Sequence, residues 1–276
     1  MQLTNIPILS TQDMDSQPER ARDPMDAGRG SAPSKQPRVI IVMPAYNAAL
    51  TLEKTYYALP EGSYDQIILV DDASSDNTLE IASKLRILGI RHRKNRGYGG
   101  NQKTCYTKAL EQGADIVVML HPDYQYDPTI AKDIVQPIVR EEADVVLASR
   151  MLGDPLKGGM PLYKFVANKI LTGMENFVLG TKFSEFHTGY RAYSRHALES
   201  VNFEANSENF VFDNEILVQF VIKKMRFREI PVSTRYSFDS SSVSFRAGIV
   251  YGLSILRTIG KYLLFKCRIV KYKQFS

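Results

Sequence analysis

Short apolar runs that alternate with helix-like segments constrain the fold of this chain more than any other feature. Most of the runs contain four or five apolar residues, many of them β-branched, which is typical of strands buried on both faces. The predicted strands are residues 39–43, 66–70, 116–120 and 144–148, with a shorter one at 90–93. Because a predicted helix separates each strand from the next, we expect an α/β fold whose sheet is mostly parallel, with helices on both faces.

Polar residues follow four of these strands at the point where each strand ends. They are Pro44–Asn47, Asp71-Asp72, His121–Asp127 and Ser149-Arg150. Open parallel α/β sheets bind their ligands beyond the carboxyl ends of the strands. We therefore expect the four clusters to meet at one edge of the sheet and to form the functional site.

The cluster after the fourth strand suits a metal ion. Its polar side chains are spaced two apart, so an extended chain places them on one face; they are His121, Asp123, Gln125 and Asp127. Oxygen ligands of this kind suit a hard divalent cation such as Mg²⁺ or Mn²⁺, which in turn binds phosphate oxygens. The alternative is that residues 123–128 are only a polar turn that caps the next helix.

The cluster after the second strand suits a nucleotide. Two adjacent carboxylates, Asp71 and Asp72, are costly to bury unless they have partners or water. One is expected to cap the following turn, while the other accepts hydrogen bonds from a ribose or base on which Tyr46 stacks. The segment Gly97–Gly100 is not a dinucleotide fingerprint, which would follow the first strand. It predicts a tight loop before a helix whose N-terminus can face an anion.

The two ends of the chain differ from its middle in composition. Residues 1–36 are polar and rich in Pro and Gly, which predicts a disordered tail. Residues 37–235 are predicted to form the α/β domain, and residues 236–276 a basic amphipathic C-terminal helix and tail. From Lys223 onward twelve basic residues oppose two acidic ones, so this part carries +10 and the rest −5 of the total +5. A basic end favours an anionic partner such as phosphate or a membrane, while the strand-end carboxylates argue against nucleic acid.

Several features favour the cytoplasm, with peripheral contact at the inner face of the membrane. The two cysteines lack disulfide density and metal-site spacing, and the first ten residues lack the pattern of a signal peptide. The longest apolar stretch, residues 247–265, is interrupted by Arg257 and Lys261, so no transmembrane helix is predicted. Its basic amphipathic pattern predicts a helix that lies on a membrane surface, or one that packs on the domain with a solvated basic face.

Taken together, the motifs resemble family 2 glycosyltransferases of the GT-A fold. They are Val42–Asn47, Val70–Thr78, Asn95–Gly97 and His121–Pro128. Two further motifs, Thr188–Tyr193 and Phe210–Glu215, are similar to the branch of dolichyl-phosphate mannose synthases and polyprenyl-phosphate glycosyltransferases. The resemblance covers about residues 38–235. It implies an inverting transfer of a sugar from a nucleotide-diphosphate sugar to a polyprenyl phosphate in glycan biosynthesis. The alternatives are a hydroxyl acceptor on a polysaccharide or soluble molecule, and an inactive nucleotide-sugar binding module.

The resemblance also implies roles for individual residues. The donor nucleotide would contact Pro44, Tyr46, Asn47, Asp71, Asp72 and Gly97. The metal, Mg²⁺ or Mn²⁺, would be held by His121, Asp123 and Gln125. The acceptor phosphate would be held by Arg150, Lys164 and Arg191. The implied catalytic residues are Asp123, Arg150 and Asp213. For a hydroxyl acceptor a carboxylate must take the proton, and the candidates are Asp213 or Glu215. The alternative for Asp213 is a helix N-cap.

Two departures from the family pattern bear on the site. His121 stands where the family usually has an Asp, and Ala48 replaces a Glu that often follows the Tyr-Asn pair. A neutral imidazole still ligates Mn²⁺, so we expect an altered metal site rather than a lost one.

Overall fold

A mixed sheet that contains seven strands within the described residues forms the centre of the protein. The structure is a computed structural model, and it describes residues 36–235 and 245–275. The strands are β1 Val39–Ala45, β2 Gln66–Asp71, β3 Leu88–Arg91, β4 Ile116–Met119, β5 Val145–Ser149, β6 Arg191–Ser194 and β7 Phe227–Pro231. Their order is β3-β2-β1-β4-β6-β5-β7, and all pairs are parallel except the two that β6 makes.

Helices cover both faces of this sheet. They are α1 Leu52–Tyr57, α2 Thr78–Lys84, α3 Gly97–Glu111, α4 Ala131–Val139, α5 Leu162–Leu179, α6 Arg195–Glu199, α7 Phe212–Ile222 and α8 Phe245–Lys266. Alternate residues of β1 enter two different hydrophobic clusters: Ile40 and Val42 lie in one, Ile41 and Met43 in the other. Both faces of the strand are therefore buried, and the predicted α/β fold, a mostly parallel sheet with helices on both faces, is confirmed.

Strand β6 is the main element that the sequence does not predict. Its four residues lie between β4 and β5 and run antiparallel to both. Such a short segment, which begins with an arginine, carries little of the apolar pattern that marks a buried strand. The insertion brings the residues before Arg191 to the same edge of the sheet as the ends of β4 and β5.

Helix α3 begins at Gly97, so the segment Gly97–Gly100 belongs to the helix and is not the predicted loop before it. The first turn of this helix needs glycine because the backbone of residues 207–209 lies directly against it. A Cβ atom on Gly99 would lie 2.3 Å from the carbonyl oxygen of Ser207. Gly97 has a φ of +79°, which favours glycine.

The predicted tail at residues 1–36 lies outside the described residues, apart from Gln36. The predicted C-terminal helix is α8, which packs against α5 and α7 and buries Ile255 and Ile259. Residues 248–266 have a mean hydropathy of 1.2 in spite of Arg257 and Lys261. By length and composition alone, this is the one helix among the described residues that meets the requirements of a membrane span, although 22% of that stretch is buried within the protein.

Candidate active site

A cavity of about 560 Å³ opens beyond the carboxyl end of β4. Its walls come from the segment after β4, the 3₁₀ turn after β5, helices α5 and α8, and the start of α7. Six residues predicted from the sequence line it, namely His121, Asp123, Gln125, Arg150, Lys164 and Asp213. The predicted metal residues therefore share one cavity with two of the predicted acceptor residues and with the predicted base.

The three predicted metal residues follow β4 on one short segment. Tyr124 has a φ of +56°, and Asp123 Oδ1 accepts a hydrogen bond from the backbone N–H of Gln125 at 3.0 Å. In the described part of the chain, no three His, Cys, Asp or Glu side chains gather closely enough to hold a metal ion. One carboxylate, one amide and one imidazole suit Mg²⁺ or Mn²⁺ when phosphate oxygens supply the remaining ligands. The residues therefore fit a cation that binds together with a diphosphate.

The imidazole of His121 is partly buried and lines the cavity. Its Nε2 atom lies 3.1 Å from the hydroxyl oxygen of Tyr98, and the two rings stack with centroids 5.3 Å apart. Burial lowers the pKa of His121 below its ordinary value of 6.5, although the charge of Asp123 opposes this effect. The ring is therefore neutral near pH 7 and keeps a lone pair that can bind a cation.

Asp213 is held by three side chains on the far side of Tyr98. The Tyr98 hydroxyl donates to Asp213 Oδ2 at 2.6 Å, and Gln102 Nε2 donates to Oδ1 at 3.0 Å. Arg191 Nη1 lies 3.4 Å from Oδ1. Asp213 is not an N-cap, because α7 begins at Phe212 with Val211 in the N-cap position. Both carboxylate oxygens are therefore engaged by the protein itself.

Arg191 does not lie where the predicted acceptor role requires. Its side chain is completely buried. In addition to its contact with the Asp213 carboxylate, it donates to three backbone carbonyls: Thr188 at 2.8 Å, Phe186 at 3.2 Å and Asp213 at 3.0 Å. The guanidinium does not line the cavity and donates to protein carbonyls instead, so the structure does not bring Arg191 together with the other predicted acceptor residues. An arginine at the start of a buried strand faces the interior, where its charge needs a carboxylate partner, and Asp213 is that partner.

Arg150 and Lys164 form the basic side of the cavity. Arg150 Nε donates to Glu185 Oε1 at 2.8 Å, and its Nη2 donates to the His187 carbonyl at 2.8 Å. Burial alone would raise the pKa of Glu185, but the charge and hydrogen bonds of Arg150 hold it below its ordinary value of 4.5. Burial, and then the nearby charge of Arg150, lower the pKa of Lys164. Both cations line the same cavity.

His187 connects helix α8 to this basic side. Its Nδ1 atom lies 3.0 Å from the hydroxyl of Tyr251 on α8, and its Nε2 lies 3.2 Å from Glu175 Oε2 on α5. Because the His187 carbonyl also accepts from Arg150, one loop joins α5 and α8 to the predicted acceptor residue. The C-terminal helix is therefore part of the cavity wall.

The six predicted donor residues lie at the ends of β1 and β2 and at the start of α3, and none of them lines the cavity. Tyr46 is 58% exposed, whereas Pro44 is buried in β1. Asn47 Oδ1 accepts from the N–H of Ser75 at 2.9 Å. The structure thus leaves Tyr46 available for stacking, and it uses Asn47 to join the loops that follow β1 and β2.

The two adjacent aspartates differ in their surroundings. Asp72 accepts from the N–H groups of Arg96 and Gly97 at 2.8 and 3.0 Å and lies 2.7 Å from His92 Nδ1. It therefore caps α3, and the first amides of that helix are bonded to the protein. Asp71 is also buried, and its Oδ1 has no hydrogen-bond partner among the described residues.

Five residues that shape the site were not predicted from the sequence. They are Tyr98, Glu185, His187, Phe210 and Tyr251. Tyr98 lies inside the glycine-rich segment Gly97–Gly100, and Phe210 opens the motif Phe210–Glu215, but the sequence predicts no role for either side chain. A buried acidic residue such as Glu185 has no local signal, because its arginine partner is 35 positions away.

Comparison with known proteins agrees with this geometry. Residues 40–201 match Glycosyl transferase family 2. The chain belongs to this family. This family 2 glycosyltransferase is 29% identical over 246 residues to UDP-N-acetylglucosamine--dolichyl-phosphate N-acetylglucosaminyltransferase of Methanococcus voltae, covering 82% of this chain and 98% of that protein. It is 24% identical over 207 residues to polyprenol monophosphomannose synthase of Mycolicibacterium smegmatis, covering 71% and 77% of the two chains.

The fold of this family 2 glycosyltransferase is similar to that of glucosyl-3-phosphoglycerate synthase from Mycobacterium tuberculosis. The TM-score is 0.63 at 16% identity, covering 85% of this chain and 80% of that one. That enzyme was crystallised with Mn²⁺, uridine diphosphate and phosphoglyceric acid, and in another structure with Mg²⁺ and uridine diphosphate. The predicted GT-A fold and glycosyltransferase activity are therefore confirmed at the level of the family.

Proposed function

We propose that this glycosyltransferase moves a sugar from a nucleotide-diphosphate sugar to a polyprenyl phosphate at a membrane surface. The observation that carries the proposal is the composition of the cavity. Its lining includes the predicted metal residues Asp123 and Gln125 and the cations of Arg150 and Lys164. It also includes apolar side chains of α5 and α8. A cavity of this kind suits an acceptor with an anionic head and a hydrocarbon tail.

The basic side of the cavity supports a phosphate acceptor. Glu185 neutralises much of the charge of Arg150, so Lys164 supplies the excess positive charge on this side. A phosphate placed between the two residues would receive a planar donor from one and a point charge from the other. The names of the relatives from Methanococcus voltae and Mycolicibacterium smegmatis include dolichyl phosphate and polyprenol, which supports the same acceptor class for this chain.

The apolar side supports a lipid tail. Its lining includes Met160, Ile170, Leu171 and Ile249. Ile170 and Ile249 are both more than half exposed, so the apolar wall continues from the cavity to the outer surface of α5 and α8. The first isoprene units of an acceptor would pack against these side chains and gain the free energy of leaving water.

The reaction needs little from a general base if the acceptor is a phosphate. A phosphate is largely ionised near pH 7 and attacks the anomeric carbon without losing a proton. Asp213, the predicted base for a hydroxyl acceptor, has both oxygens engaged by Tyr98 and Gln102. This arrangement favours a phosphate over a hydroxyl.

The donor site is proposed at the ends of β1 and β2, next to the cavity. The unpartnered Oδ1 of Asp71 suits an N–H or hydroxyl of the nucleoside, and the exposed ring of Tyr46 suits its base. Asp123, Gln125 and His121 would hold Mg²⁺ or Mn²⁺, which when bound stabilises the negative charge of the leaving diphosphate. The structures of a similar fold with uridine diphosphate and these cations support this class of donor and cofactor.

The membrane contact is proposed at an apolar face formed by α5 and α8. Along α5, exposed apolar residues recur at helical spacing: Leu162, Val166, Ile170, Met174 and Phe177. Helix α8 adds Ile249, Val250, Leu253, Leu256 and Leu263. Since α5 and α8 pack against each other, one surface combines the two faces beside the mouth of the cavity. We infer that this surface binds a membrane peripherally, at its cytoplasmic face.

The test is an activity assay with separated acceptors. Purified protein is incubated with Mn²⁺, a panel of nucleotide sugars, and vesicles that contain either a polyprenyl phosphate or the matching polyprenol without phosphate. We expect release of nucleoside diphosphate and sugar-labelled lipid only with the phosphate. Transfer only to polyprenol or to soluble hydroxyl acceptors would contradict the proposal, and so would donor binding without any turnover.

A further inference from the structure

The hydrogen bonds around Tyr98 determine which way its proton points. Tyr98 has one hydroxyl proton and two neighbours, Asp213 Oδ2 at 2.6 Å and His121 Nε2 at 3.1 Å. Asp213 lies beside the buried guanidinium of Arg191 and accepts a second hydrogen bond from Gln102, so donors face both of its oxygens and it serves as the acceptor toward Tyr98. The Tyr98 proton therefore goes to Asp213.

The same arrangement leaves the Tyr98 oxygen as an acceptor toward His121. A hydrogen bond between the two groups then requires a proton on Nε2 of the imidazole. A neutral ring with its proton on Nε2 has its lone pair on Nδ1. We propose that Tyr98 is a positioning residue that fixes His121 in this tautomer, with Nδ1 as the ring atom that can bind a cation.

Two contacts hold the ring in the orientation that this hydrogen bond needs. Tyr98 stacks on His121, with 19° between the ring planes, and Phe210 packs on Tyr98 with centroids 4.7 Å apart. On another side, a Cβ on Gly189 would lie 3.2 Å from His121 Cδ2, so the glycine leaves just enough room for the ring. A flip of the imidazole in its plane would keep the stacking but would move Nε2 away from the Tyr98 hydroxyl, so the hydrogen bond selects this orientation of the ring.

The tautomer of His121 affects cation binding at the predicted metal residues. A carboxylate at position 121 would present oxygen ligands in any rotamer, whereas an imidazole presents a lone pair on only one nitrogen. Outer hydrogen bonds of this kind fix the ligating nitrogen and raise metal affinity. The link to cation affinity rests on the proposed function, but the tautomer itself does not.

The first test is an NMR measurement on the wild-type chain. Long-range ¹H–¹⁵N correlation spectra of protein with ¹⁵N-labelled histidine distinguish protonated from unprotonated ring nitrogens. The chain has four histidines, and a spectrum of His121→Gln identifies the signals of His121 by their loss. We expect a protonated Nε2 and an unprotonated Nδ1. A proton on Nδ1 would overturn the proposal, and this test requires no variant at Tyr98.

The second test removes only the hydroxyl, with Tyr98→Phe. We expect the His121 signals to change toward an average of both tautomers, and Mn²⁺ affinity, measured with uridine diphosphate present, to fall by about tenfold or more. Tyr190→Phe is the control, because it removes a buried hydroxyl that has no hydrogen-bond partner among the described residues. An unchanged His121 spectrum in Tyr98→Phe would overturn the positioning role. If the wild type transfers no sugar to polyprenyl phosphate, the proposed function is contradicted, but the NMR result on the tautomer still stands.

Discussion

Arg150 and Glu185 form an ion pair in which the carboxylate is completely buried and the guanidinium side chain is only 12% exposed. Glu185 also accepts hydrogen bonds from the backbone N–H of Arg150 at 2.9 Å and from Asn168 at 2.7 Å. Arg150 therefore has two tasks. It balances a buried charge, and it lines the cavity where the acceptor phosphate is proposed to bind.

Replacing Arg150 alone is expected to destabilise the fold. Arg150→Ala leaves the Glu185 carboxylate buried without its partner, which costs about 3–5 kcal/mol of unfolding free energy. Removing both charges, with Arg150→Leu and Glu185→Leu together, should restore much of the stability, since a buried pair can often be replaced by apolar residues. Urea denaturation measures both variants. Equal stability of wild type and Arg150→Ala would contradict this account of the pair.

Lys164 tests the acceptor site with less effect on stability than Arg150, because among the described residues it forms no ion pair with an acidic side chain. Lys164→Ala should raise the KM for polyprenyl phosphate by about tenfold, the effect of losing one charge-assisted contact of roughly 1.4 kcal/mol. The KM for the nucleotide sugar should change little. The control is Lys169→Ala, an exposed lysine of the same helix that does not line the cavity. A selective effect on the donor would instead assign Lys164 to the diphosphate.

Asp123 is expected to be essential for turnover. Asp123→Ala should lower kcat by at least about a hundredfold, the scale of removing one element that stabilises developing charge. Excess EDTA should have a similar effect on the wild type, and Mn²⁺ or Mg²⁺ should reverse it. The control is Asp127→Asn, which keeps an acceptor for the N–H of Thr129. Full activity in EDTA would remove the case for a metal at this position.

The buried pair also predicts a pH dependence of stability. The pKa of Glu185 lies below its ordinary value of 4.5 in the folded protein, so the folded state binds fewer protons than the unfolded state in this range. The contribution of Glu185 is therefore complete above pH 4.5 and is lost as the pH falls through the folded pKa. Glu185→Gln should be less stable than wild type at pH 7, and the difference should shrink below pH 4.5. Glu199→Gln, which breaks an exposed pair with Arg195, should show no such trend. A difference that stays constant with pH would contradict the shifted pKa.

Membrane binding should depend on the apolar stripe of α5. Phe177 is 89% exposed and Ile170 is 59% exposed, so replacing both with Ser removes apolar contact area without opening the core. We expect wild type to sediment with anionic vesicles at low salt and to be released at high salt, because each basic residue near the surface adds up to about 1 kcal/mol. The double variant should bind less, while Leu50→Ser, at an equally exposed apolar residue elsewhere, should bind normally. Removal of α8 is a poorer test, because Ile255 and Ile259 are buried in the fold.

The sequence by itself determined the framework of the protein and the position of its site. Runs such as Val39–Met43 are local signals, because β-branched residues flanked by helical patterns specify a strand without reference to distant residues. Parallel strands also share one carboxyl edge, so His121, Asp123, Gln125 and Arg150 could be expected together before their distances were known.

Only the tertiary structure decided which polar groups face the cavity and which balance each other in the interior. Tyr98 and Asp213 are 115 positions apart, and their hydrogen bond exists because α3 and α7 pack on the same side of the sheet. Arg191 turned inward for a similar reason, since the inserted strand β6 buries its side chain beside Asp213. The fate of a charged side chain depends on burial and on a partner brought by another element, and neither is written in its local sequence.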